Sequence, residues 1–180
     1  MTTPATDSAI DVAYWFFNRA DKDGFYLETE KMQVLLFLSQ VHFAMAKKAQ
    51  ILVPSTFICD KDGFFEPNLR RLFAQGRPFM TPVSLPKEVN LFLEQIWQKY
   101  GNISQYRLDS FIKNHIAFKK HYVQGTINIV DLNVVIKDFL TTDSVHTSRS
   151  VLPAGGKKVM LSQSGQPVVV SQWKPRKLDC

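Results

Sequence analysis

The sequence predicts a mainly α, compact multi-helix domain with a short extended segment near residues 55–60 and a C-terminal tail resembling a β-hairpin. Three observations carry this. Apolar residues recur at helical spacing in successive blocks divided by Gly, Pro and Asp turns. One block, LETEKMQVLLFLSQVHFAMAKKAQ, is apolar around most of its circumference, which places a helix at the centre of a fold. Strand-like runs are confined to Thr56–Cys59 and to the tail.

In chain order, Asp7 or Ser8 can cap a first helix running through Ala20, with Ile10, Tyr14 and Phe17 at helical spacing. The turn Asp21–Gly24 ends it. In the central helix Met32, Leu35, Leu36, Ser39 and Phe43 form one stripe, which Val34, Phe37, Leu38 and Val41 widen. Lys47 and Lys48 suit its negative pole. Pro54, the stretch Thr56–Cys59 and the turn that follows predict a brief extended piece. Pro67 then fits the first turn of a short helix reaching Phe73. GRPFMTPVSLP reads as a loop. Pro86 opens a helix through Tyr100 that buries Val89, Leu93, Ile96 and Trp97, and Gly101 stops it. Ser104 is expected to cap a helix carrying Leu108, Phe111 and Ile112. Asn128 precedes a last helix with Leu132, Val135, Ile136 and Phe139. The domain reading is therefore a helical body at 8–140, followed by a linker and basic tail at 141–180. In that tail KKVMLSQSGQPVVVSQW would fold as two strands joined by SQSGQ, a hairpin within 157–173.

The chain has 180 residues, enough for one well-buried core. No apolar run is long enough to cross a bilayer, and the start, MTTPATDSAIDVAYWFF, lacks the pattern of a signal peptide; the expectation is a soluble cytoplasmic protein without a membrane partner. Cys59 and Cys180 have no metal-type spacing and read as free thiols. The net charge is +6, and it is uneven. Beyond residue 140, Arg149, Lys157, Lys158, Lys174, Arg176 and Lys177 face only Asp143 and Asp179, so most of the excess lies in the tail.

The pentapeptide DKDGF occurs at Asp21–Phe25 and at Asp60–Phe64 and raises the question of calcium loops. With Gly24 at the sixth loop position, Asp21, Asp23 and Glu30 fall on ligand positions, but Arg19 occupies the first. With Gly63 at the sixth, Ile58 and Leu69 fall on ligand positions. A cation and two apolar side chains cannot complete such a cage, so both read as turns. His42, His115, His121 and His146 form no metal or general-base pattern, and His42 reads as a hydrogen-bonded core histidine. Glu28 and Glu30 read as a solvated helix start. No zinc, nucleophile-elbow or phosphate-loop motif is present, so no catalytic residue, metal or cofactor is expected and the protein is not read as an enzyme. Nucleic acid remains an alternative through Gln172-Trp173-Lys174-Pro175-Arg176-Lys177, although the body carries no basic helical stripe.

In DVAYWFFNRADKDGFYLETEKMQVLLFLSQVHFAMA, Asp11-Val12-Ala13 opens a helix. Thr29, Lys31, Gln33, Leu35, Leu36, Gln40 and His42 mark the next one. Phe57–Leu69 supplies an extended stretch, a glycine turn at Gly63 and Pro67 before a short helix. Leu93, Ile96, Trp97, Tyr100, Gly101, Ser104 and Leu108 follow, and Gly125-Thr126-Ile127 introduces the close. Over residues 8–140 this order and spacing resemble the Panacea domain, the SocA-like domain of phage-associated proteins. Phe64 stands where that family has proline and Asp60 where it has tryptophan, which points to a divergent member with its own partner. The resemblance implies a non-catalytic antitoxin that neutralises a protein toxin encoded nearby by direct binding, or a proteolytic adaptor delivering that toxin to a ClpXP-type protease. The alternatives are a nucleic-acid-associated regulator and a scaffold component of a phage- or secretion-related assembly. The residues assigned to partner binding are Phe64 and Phe65, for which core packing is the competing role, and Val168, Val170 and Trp173, whose strand could extend a partner's sheet edge.

Overall fold

The computed structural model describes residues 3–79, 84–150, 158–161 and 167–170, of which 143–150 and the last two segments are described as backbone alone. The chain divides into two units, Met1–Thr142 and Asp143–Cys180.

In the first unit, α1 (Ala9–Lys22) starts at Ser8, whose hydroxyl accepts from the Ile10 amide at 3.1 Å. Its buried face is Ala9, Val12, Ala13, Phe16, Phe17 and Ala20, while Ile10 and Tyr14 lie at its margin. It overruns the expected end at Ala20 and closes in a Schellman motif: the Gly24 amide donates to Asp21 O and the Phe25 amide to Ala20 O. Gly24 sits at φ +79°, the left-handed conformation this closure requires. The first DKDG is thus a helix terminus.

Helix α2 (Thr29–Ala46) is buried nearly throughout, from Lys31 to Val41 and again at Phe43 and Ala44. It packs against α1 and against α4 (Lys87–Tyr100). Lys47 pairs with Glu88 at one end and Lys31 Nζ meets Gly101 O at the other, so α2 and α4 run antiparallel. The expected face of α4, Val89, Leu93, Ile96 and Trp97, is its buried face. Gly101 ends α4 with ordinary right-handed torsions. Its necessity is steric, since a Cβ there would lie 2.6 Å from Trp97 O and 2.7 Å from the indole ring.

The extended segment pairs on both sides, which local patterning did not foresee. Strands β1 (Ile58–Asp60), β2 (Gly63–Phe65) and β3 (Asn128–Ile129) form an antiparallel sheet in the order β2-β1-β3. The registers are Ile58↔Phe65, Cys59↔Phe64 and Asp60↔Gly63 on one side, and Ile58↔Ile129 and Cys59↔Asn128 on the other. The second DKDG is therefore a hairpin turn. Asp60 Oδ1 accepts from the Asp62 amide at 2.7 Å, and Gly63 takes φ +134° where the strand resumes. Identical pentapeptides adopt different structures because one follows a helix and the other joins two strands.

Helix α3 (Pro67–Leu72) begins with Pro67 in its first turn, and Glu66 accepts from the Leu69 amide at 2.6 Å. Helix α5 (Gln105–Asn114) buries Leu108 and Ile112 but leaves Phe111 43% exposed, and Ser104 makes no side-chain cap bond. Helix α6 (Ile116–His121) is a separate element, introduced by His115, whose Nδ1 accepts from the Ala117 amide at 3.1 Å. Asn128 belongs to β3, and α7 (Leu132–Ser150) is capped by Asp131 Oδ1, which accepts from the Asn133 amide at 2.9 Å. Val135, Ile136 and Phe139 on α7 are buried. The helix continues to Ser150, through the stretch from Thr141 that its Thr/Ser composition marked as linker.

In the second unit β4 (Lys158–Leu161) and β5 (Pro167–Val170) pair antiparallel, with Val159↔Val169 and Met160↔Val168, as a hairpin joined by SQSGQ requires. Among the described residues no helix is long and apolar enough to cross a membrane.

Candidate partner-binding cleft

Helix α2 owes its central position to apolar residues, yet its buried polar side chains fix the surrounding loops. Gln33 accepts from the Glu66 amide at 2.9 Å and donates to Glu66 O at 3.2 Å, tying the end of β2 to the helix. Gln40 accepts from the Leu52 and Val53 amides at 3.1 and 2.9 Å, holding the segment that leads to β1. Lys31 donates to Gly101 O at 2.6 Å, and His42 Nε2 lies 2.8 Å from the Tyr100 hydroxyl. Burial pulls the Lys31 ammonium pKa down, opposed by the neighbouring charge of Glu28. Each of these polar side chains of α2 has a partner, as a low-dielectric interior demands.

Between the start of α2, the β1–β2 hairpin and α5 lies an open cleft of about 500 Å³. Phe64, Phe65 and Val34 give it an apolar floor, and Glu28, Glu30, Asp62 and Asp109 bring carboxylates to its walls. Arg70 and Lys113 are its cations. Arg70 is engaged: its guanidinium bonds Asp60 and Asp62, each at 2.9 Å, and lies 4.2 Å from the centre of the Phe65 ring. Gln105 Nε2 donates to Asp109 Oδ1 at 2.7 Å, which fixes the amide and leaves Gln105 Oε1 buried without a hydrogen-bond partner.

The sequence-assigned residues fare differently. Phe64 and Phe65 do meet at the cleft, but as its floor: they are 3% and 8% exposed. Phe64 stacks on Phe37 with centroids 4.2 Å apart and meets Phe118 edge-on. Rings so enclosed pack as core, the competing role read from the sequence, while both residues also line the cleft. Val168 and Val170 lie on β5, opposite Met160 and Lys158, and Trp173 falls outside the described residues. His42 is hydrogen-bonded as expected, but it is half-buried and lies at the edge of the core. His121 Nδ1 lies 2.8 Å from Ala117 O, and His115 stacks on Phe139 at 3.8 Å. In the first DKDG, Asp23 Oδ1 pairs with Arg19 and Asp23 Oδ2 accepts from Trp97 Nε1 at 2.8 Å; these bonds lower its pKa, Arg19 contributing most. The wall residues Asp62, Gln105, Asp109 and Lys113 escaped sequence reasoning because they come from separate segments that only folding assembles. Glu28 and Glu30 were legible only as a helix start.

No protein-family model matches the chain, and no curated protein or solved structure matches it either.

Proposed function

We propose that this chain is a non-catalytic, protein-binding antitoxin of Panacea type, acting on a toxin encoded beside it. It blocks the toxin by direct contact or hands it to a ClpXP-type protease. The observation that carries this reading is the cleft: a concave, aromatic-floored hollow of about 500 Å³ held by clamped elements. A preformed hollow accepts a protruding segment at small ordering cost, the usual way a rigid scaffold gains affinity. The residues behind the family resemblance add support of another kind. Lys31, Gln33, Gln40, His42 and Gly101 are the ones that clamp or closely pack the scaffold, so their pattern accords with a shared architecture. A cytoplasmic site of action belongs to the same proposal.

The test is co-expression with the product of the adjacent reading frame. That product alone should arrest growth, and this chain should restore growth and co-purify with it. A neighbour that is harmless, or that remains lethal and uncaptured, would overturn the reading. Survival of neutralisation in a ClpX-deficient host separates occlusion from delivery.

A further inference from the structure

We infer that the cleft receives a cationic segment of the partner protein, an arginine flanked by apolar side chains; this rests on the protein-binding reading above. The walls bring together Glu28, Glu30, Asp62 and Asp109, and only Arg70 and Lys113 oppose them. Arg70 is committed to Asp60 and Asp62. Among the described residues, neither Glu30 nor Asp109 forms an ion pair. The cleft thus carries surplus negative charge on a chain whose net charge is +6. Such local inversion favours a basic partner and disfavours a phosphate backbone.

The apolar floor narrows the chemistry further. Arg70 already shows how a guanidinium is held here, lying over the Phe65 ring while two carboxylates take its N–H groups. A second guanidinium entering from a partner would find the same elements beside it: Phe64 and Phe65 below, Glu30 and Asp109 at the walls. The volume, about 500 Å³, falls in the range of cavities that enclose a peptide side chain and its neighbours.

The test uses the full chain and a fluorescent hexapeptide, Gly-Phe-Arg-Phe-Arg-Gly, with Gly-Phe-Glu-Phe-Glu-Gly as its charge-reversed control. Polarisation should show binding of the arginine peptide, weakening with salt, and at least about tenfold weaker binding of the control. The double variant Glu30→Gln, Asp109→Asn should lose about tenfold in affinity. Lys113→Ala, which removes the opposing cation, should tighten binding several-fold, a gain that misfolding cannot imitate. Equal binding of both peptides, binding of neither, or affinity indifferent to the double variant would overturn the assignment. So would a dimer of this chain that dissociates in the double variant, since the occupant would then be a second copy. If the neighbouring gene product is captured equally by wild type and double variant, the cationic-segment assignment fails and the antitoxin reading stands. If the arginine peptide binds as expected while that product is harmless and uncaptured, the reverse holds.

Discussion

At the scale of single residues, the polar side chains of α2 are structural. Replacing Gln40 with Leu would preserve volume but strip two buried amides, Leu52 and Val53, of their acceptor. We expect a loss of about 2–4 kcal/mol in urea unfolding, because each orphaned buried donor costs roughly 1–3 kcal/mol. Cys59 gives a prediction in pH. It is fully buried, and burial together with Asp60 pushes its thiol pKa up to about 11 from an ordinary 9.0, burial contributing most. A raised folded-state pKa means that the thiol's contribution to stability is whole below pH 9.0 and is lost as pH rises towards about 11. The difference in unfolding free energy between wild type and Cys59→Ala should therefore shrink across that window. Lys31 has the opposite sign: its lowered pKa makes stability rise with alkalinity as the ammonium discharges. That contribution is common to both proteins and cancels in the comparison.

At the scale of elements, backbone conformation separates segments that composition equates. Gly24 terminates α1 in the left-handed region and Gly63 leaves the hairpin turn at φ +134°, where other residues fit still less well. Gly24→Ala should cost about 1 kcal/mol and Gly63→Ala about 2–3 kcal/mol, read by thermal melting. The end of α2 offers the converse test. Lys48 and Ala49 hold φ +51° and +68° without a glycine, and the Ala49 amide still closes onto Ala44 O at 2.8 Å. Ala49→Gly should stabilise the protein by about 1 kcal/mol. The helices found at 29–46, 67–72 and 87–100 were legible from different local signals: an apolar stripe for the first, Pro67 for the second, and Pro86, a stripe and Gly101 for the third. The sheet was not. Gly63–Phe65 and Asn128–Ile129 are too short to show a period, and the second pairing, Ile58 with Ile129, joins positions far apart in sequence. The same limit hid His115 as the start of a separate helix: its cap bond is a side-chain geometry with no compositional mark.

At the scale of the whole molecule, charge distribution is the ground on which we propose a protein and not a nucleic-acid partner for the cleft. The chain is basic, with a calculated pI near 9.3, and that figure alone favours nucleic acid. The excess, however, sits mainly beyond residue 140, while the cleft of the helical body is acidic. Duplex DNA should therefore fail to compete with the arginine peptide for the cleft, as polarisation can show. Displacement of the peptide by DNA would favour the regulatory alternative.

The amino-acid sequence by itself determined that the chain would be mainly helical, that α2 would be central, and that Val159 and Val169 would lie in facing strands of a tail hairpin. These are matters of local period and turn chemistry, which each segment carries within itself. Tertiary structure alone decided the rest: that Phe64 is a core ring stacked on Phe37, that two copies of DKDG part ways, and that Glu30, Asp62 and Asp109 share one hollow. Proximity between distant segments arises from how helices and strands pack together, and no single segment of the chain records that packing.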